Sequence, residues 1–169
     1  MSEVVIPDTE AMYRLGAALA SHLRAGDVLV LTGPLGAGKT TLTRGLGEAL
    51  AVRGTVASPT FVIARTHPST VGGPALIHVD AYRLNSALEL DDLDLDLDAS
   101  VTVIEWGTEI VSAICDSWLE LVIERPVGGD FDLDEESLEH PRRVTLQGVG
   151  ERWAGFDAAA VLAEATAGP

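Results

Sequence analysis

The stretch Val28-Leu-Val-Leu-Thr-Gly-Pro-Leu-Gly-Ala-Gly-Lys-Thr-Thr41 decides the fold. Its first four residues form a continuous β-branched and leucine run, the pattern of a strand buried on both faces. After Thr32, the eight residues Gly33-Pro-Leu-Gly-Ala-Gly-Lys-Thr40 satisfy G-x-x-x-x-G-K-[ST], and a helical pattern follows from Lys39 to about Leu50. Strand, glycine-rich loop and helix in that order make a phosphate cradle. Glycines let backbone N–H groups wrap phosphate oxygens where a bulky side chain would clash. The helix adds about half a positive charge at its N-terminus. The expected nucleotide-binding residues are therefore Gly33, Leu35, Gly36, Ala37, Gly38, Lys39, Thr40 and Thr41. Lys39 is placed to reach the β and γ phosphates, the Thr40 hydroxyl to meet Mg2+, and Thr41 to add a phosphate hydrogen bond. A plain connecting turn would need neither a lysine nor a hydroxyl at the end of the loop.

Phosphoryl chemistry also needs an acid to hold the hydrated metal, ordinarily at the end of a buried strand near the loop. Two residues fit: Asp80 follows Ala75-Leu-Ile-His-Val, and Glu105 follows Val101-Thr-Val-Ile. Either could instead cap a strand end, and their order along the chain leaves the roles open. The guanine motif N-K-x-D is excluded, because Lys39 is the sole lysine. ATP is the expected nucleotide.

Working outward, Val4 to Ile6 reads as an opening strand, and Asp8 or Thr9 caps a helix carrying Ala11, Leu15, Ala18, Leu19 and Leu23 at helical spacing. Further strands are expected at Phe61 to Arg65, Ala75 to Val79, Val101 to Ile104, Leu119 to Ile123 and Arg143 to Leu146. The alternation predicts an α/β P-loop nucleotide-binding fold with a mixed, mainly parallel central sheet flanked by helices. The strands around residues 61 to 79 are close enough to pair antiparallel through the Gly72 to Pro74 turn. Residues 1–169 read as one domain, with an acidic surface loop at Gly128 to Glu139 and an alanine-rich terminal helix after Asp157 that frays.

The formal charge of −15 argues against free-standing nucleic-acid binding, which relies on clustered Lys and Arg. No apolar run approaches the roughly 20 residues that span a bilayer. Met1 to Pro7 lacks the basic start and long apolar stretch of a signal peptide. A lone cysteine, Cys115, has no internal disulfide partner and reads as a small buried hydrophobe, which points to a reducing cytoplasm.

Gly33 to Thr41, Ser58-Pro-Thr-Phe61, His78-Val-Asp-Ala-Tyr-Arg-Leu84 and Ile104-Glu-Trp106 occur in the order and approximate spacing of one family. With these motifs the chain resembles the TsaE (YjeE) family, the ATPase component of bacterial tRNA threonylcarbamoyladenosine synthesis, over nearly its full length. The resemblance implies that Thr40 and Glu105 ligate Mg2+, that Ser58 to Thr60 belongs to a switch-like loop, and that Asp80 serves ATP hydrolysis. Thr60 then senses the γ phosphate or completes the turn after Pro59. The implied partners are TsaD and TsaB, with tRNA met only through the complex and slow hydrolysis without them. A small-molecule kinase and a nucleotide-dependent switch are the competing readings.

Around these motifs, His78 reads as a strand residue that orients Asp80, two positions on, rather than as a catalytic base. Trp106 reads as core packing, and Arg83 as either a neutraliser of phosphate charge or a surface ion pair. The adenine side is weakly marked, with the Asp8 to Met12 region and Arg142 or Arg143 as candidates. Leu88 to Asp98 alternates leucine and aspartate, but five aspartates would repel one another in a strand. A short helix or irregular loop with a solvated acidic edge is expected there, and a basic partner could dock on it.

Overall fold

The computed structural model describes residues 1–54, 56, 63–125 and 140–168. Seven strands form one sheet: β1 (Ser2–Ile6), β2 (Val28–Thr32), β3 (Ala64–His67), β4 (Ala75–Asp80), β5 (Ser100–Glu105), β6 (Trp118–Glu124) and β7 (Arg142–Val149). Their order is β1-β7-β6-β2-β5-β4-β3. The four central strands, β6, β2, β5 and β4, run parallel. The outer pairings, β1 with β7, β6 with β7 and β3 with β4, are antiparallel. This is the expected mixed α/β sheet. Its central pattern follows from composition: Val28 to Leu31 and all of β5 are buried, as parallel strands covered on both faces must be.

The helices are α1 (Thr9–Ala20), α2 (Lys39–Ala49), α3 (Ala87–Asp91), α4 (Val111–Ile114) and α5 (Ala158–Thr166). Asp8 caps α1, its Oδ1 accepting from the Ala11 N–H at 2.8 Å. The larger core lies where α1, α2 and α5 cover one sheet face, with Leu15, Leu19, Leu42, Leu46, Leu29, Leu31 and Leu121 fully buried. Burying each such side chain contributes about 1.5–3 kcal/mol. In α5, Val161, Leu162 and Ala165 join this core.

The opposite face carries little regular helix. Val28, Val30, Ile77, Val79 and Ile104 are covered there by Leu90, Val111 and the half-buried Leu93, Leu95 and Leu97. The alternating segment therefore runs as α3 followed by a non-strand stretch. Leu90, Leu93, Leu95 and Leu97 lie on the sheet, Leu88 is exposed, and Asp92, Asp94 and Asp96 face solvent. Cys115 is half-buried at the edge of this cluster rather than inside it.

The strand expected at Phe61 to Arg65 is seen as Ala64–His67, while positions 61 and 62 lie outside the described residues. The turn from β3 to β4 is fixed by the Ser69 hydroxyl, which accepts from the Val71 and Gly73 N–H groups at 3.1 and 2.9 Å. The acidic stretch Gly128 to Glu139 lies outside the described residues. Among those described, no helix is long and apolar enough to cross a membrane.

The contact of α1 with α2 sets where the glycine loop ends. A Cβ built on Gly16 would stand 1.9 Å from the Leu42 carbonyl oxygen, and one on Gly45 2.0 Å from the Tyr13 oxygen. Both obstacles are backbone, so no rotamer change relieves them. Gly45→Ala is expected to destabilise the fold by about 1–3 kcal/mol or more, despite alanine's better helix propensity. A thermal melt with Tm unchanged or raised would contradict this packing.

Candidate active site

The loop leaves the C-terminal end of β2 and enters α2 through Gly36 and Gly38, whose φ values of 72° and 113° suit glycine. Gly38 is the N-cap of α2 and supplies no side-chain hydrogen bond, so the first-turn amides are left for an anion. A side chain on Gly36 would meet the Arg125 guanidinium at 2.6 Å. The loop encloses a cavity of about 310 Å³, lined by residues 35–41 together with Arg44, Asp80, Glu105 and Trp106. Seven of the eight expected cradle positions thus line one space, and Gly33 lies at its base, where its carbonyl accepts from Lys39 Nζ.

Lys39 is nearly buried, with its side chain 9% exposed. Its Nζ lies 3.9 Å from Glu105 Oε1 and 4.6 Å from the centre of the Trp106 ring. Burial lowers its pKa below the ordinary lysine value, against the opposing charges of Glu105 and Asp80. Phosphate oxygens would give the ammonium close, charged hydrogen-bond acceptors. Thr40 and Thr41 are half-buried on the cavity wall. The next hydroxyl, Thr43, turns inward to the Lys39 carbonyl at 2.8 Å.

The two strand-end acids meet here. Asp80 and Glu105 are register partners across β4 and β5, and Glu105 is also paired with Leu31 at the end of β2. Both carboxylates therefore emerge beside the loop. Asp80 also acts as a cap: its Oδ1 accepts from the Tyr82 N–H at 3.0 Å and starts a short 3-10 turn, Ala81–Arg83. Capping and lining the cavity are compatible.

Three expectations are corrected. His78 shares a sheet face with Asp80, but its Nε2 pairs with Glu105 Oε2 at 2.9 Å on the neighbouring strand. The capped turn holds Asp80 instead. Trp106 is not core: it is 40% exposed, has φ of 62°, and lays its ring over Lys39 with an edge toward Tyr82. Arg83 is exposed on the 3-10 turn, neither lining the cavity nor ion-paired among the described residues. Thr60, with Ser58 to Thr60 as a whole, lies outside the described residues.

Sequence reasoning misses two arginines. Arg44, a turn into α2, lines the cavity while its Nε donates to the Val56 carbonyl at 2.9 Å. Arg125, at the end of β6, donates to the Leu35 carbonyl at 2.6 Å and steadies the loop's tip. Arg44 has a signal in hindsight, one helical turn past Thr40 and Thr41; Arg125 has none. On the loop's other flank, Asp8, Thr9, Met12, Thr41, His140 and Arg142 line a small crevice at the place expected for the adenine side.

The donors fit magnesium. Among the described residues no three His, Cys, Asp or Glu side chains converge into a metal cage. The hard oxygens present, the Thr40 hydroxyl and the Glu105 carboxylate, form the sparse set that suits magnesium shared with phosphates.

Comparison with known proteins agrees with this geometry. The family model described as "Threonylcarbamoyl adenosine biosynthesis protein TsaE" matches residues 6–128. The tRNA threonylcarbamoyladenosine biosynthesis protein TsaE of Streptomyces coelicolor is 56% identical over 149 residues, covering 86% of this chain and 96% of the relative. Its Bacillus subtilis counterpart is 38% identical, covering 86% and 83%. The crystal structure of YdiB from Bacillus subtilis superposes with a TM-score of 0.70 at 28% identity, over 96% of this chain and 93% of that one. The motifs, the sheet and the cradle therefore have one common explanation, and the chain belongs to the TsaE family of tRNA threonylcarbamoyladenosine biosynthesis proteins.

Proposed function

We propose that the chain binds ATP with magnesium and hydrolyses it for the tRNA threonylcarbamoyladenosine machinery, in the cytoplasm. The observation that carries this reading is the convergence of Lys39, Thr40, Asp80 and Glu105 on one cavity at the cradle of a TsaE-family chain. Loop amides and Lys39 bind the phosphates, and Thr40 and Glu105 hold Mg2+, which when bound neutralises developing phosphate charge. Asp80, fixed by the Tyr82 amide, orients the attacking water. Thr60 senses the γ phosphate. The partners are TsaD and TsaB, as the family likeness implies, and a chain of charge −15 leaves tRNA to them.

A second cavity of about 380 Å³, lined by Thr32, Tyr82, Trp106, Thr108 and Glu109 among others, adjoins the first across Trp106. It favours one other reading, a kinase with an acceptor seated there. ATP labelled in the γ phosphate separates the two. Label is expected in inorganic phosphate, and label in an organic acceptor would favour the kinase.

A further inference from the structure

We propose that His78 is the positioning residue for Glu105: its ring holds the carboxylate in the orientation that receives magnesium and keeps it from closing onto Lys39. This role rests on the magnesium–ATP reading above.

His78 sits on β4, on the same face as Leu76, which packs in the core that α2 covers, and is fully buried. Its register partner on β5 is Val103, so the ring reaches diagonally to Glu105 and meets Oε2 at 2.9 Å. An ionised carboxylate only accepts, so Nε2 carries the proton and donates. That bond commits Oε2. The other oxygen, Oε1, is left toward the phosphate cavity at 3.9 Å from Lys39 Nζ, well beyond the 2.7–2.9 Å typical of a charge-assisted N–H···O bond. Two nearly buried opposite charges so close would ordinarily collapse into contact. A closed pair would occupy both the lysine that the phosphates need and the oxygen that the metal needs.

The second observation is a cost. His78 Nδ1 is buried with no hydrogen-bond partner among the described residues. Leucine would remove that unpaired nitrogen but would leave the buried Glu105 Oε2 without its donor, so the imidazole serves the carboxylate rather than the packing around it. The hydrogen bond to Glu105 is its one polar contact among the described residues, and metal-ligating carboxylates are characteristically held by such outer hydrogen bonds.

The test compares affinity for a non-hydrolysable ATP analogue in excess magnesium with that in EDTA, by calorimetry, for the wild type, Glu105→Gln, His78→Leu and His78→Gln. The readout is the ratio of the two dissociation constants. A purely structural defect weakens both alike and leaves the ratio unchanged. His78→Leu, which removes the imidazole and leaves Oε2 without its donor, is expected to lose roughly 10-fold or more of the magnesium enhancement, approaching Glu105→Gln. His78→Gln, whose amide can donate to the same oxygen, is expected to retain most of it. A His78→Leu ratio equal to wild type, or a His78→Gln ratio as low as that of His78→Leu, overturns the positioning role alone. A wild type indifferent to magnesium overturns the metal reading and this role with it.

Discussion

Asp80→Ala is expected to lower the rate of phosphate release from ATP by about 10²–10³-fold while leaving nucleotide affinity within a few-fold of wild type. Asp80 lines the phosphate cavity, and its carboxylate is fixed by the Tyr82 amide rather than by a cradle residue. In the proposed function the phosphates are held by the loop and Lys39, so losing Asp80 should remove little ground-state binding. Its loss falls on the transition state, through misplacement of the attacking water. Single-turnover hydrolysis and equilibrium binding, measured on the same variant, separate these effects. A variant that binds poorly but turns over normally once saturated would assign Asp80 to binding instead.

Lys39→Ala is expected to fail one step earlier. A charged donor aimed at phosphate oxygens contributes about 1.5–3 kcal/mol, so affinity should fall roughly 10- to 150-fold. The same residue is expected to make the stability of the free protein depend on pH. Burial lowers its folded-state pKa below the ordinary value, so near neutrality the nucleotide-free fold carries the cost of a buried charge. As pH rises from the folded pKa toward the ordinary lysine range, the folded state gives up its proton before the unfolded state does. Stability contributed at this site therefore increases with pH. Denaturation of wild type and Lys39→Met across that range should show a wild-type gain that the variant lacks. A wild-type curve parallel to that of Lys39→Met would contradict the buried, phosphate-seeking lysine.

What was legible in the sequence was local. The strand before Gly33, the loop and α2 follow from a buried run, a glycine pattern and helical periodicity within one short stretch. Asp80 and Glu105 were legible as strand ends because apolar runs precede them. What was not legible depends on register between strands. Period two places His78 on the face of Asp80, but only the pairing of β4 with β5 brings Glu105 within reach of its ring. Trp106 follows a buried run and so resembles core. A positive φ right after Glu105 turns it out over Lys39. Arg125 meets the loop through a contact 90 residues apart in sequence, which no local pattern encodes. The leucine–aspartate segment illustrates a further limit: from Leu90 to Leu97 its alternation does sort leucines from solvent, but without strand pairing.

The central claim is that this cavity hydrolyses ATP in the service of a tRNA-modifying assembly. The most direct measurement is magnesium-dependent phosphate release by wild type and Asp80→Ala, each alone and with TsaD, TsaB and tRNA. The account predicts slow release alone, stimulation by the partners, and loss of that stimulation in Asp80→Ala. Equal release with and without partners, under conditions where ATP is shown to bind, would contradict it.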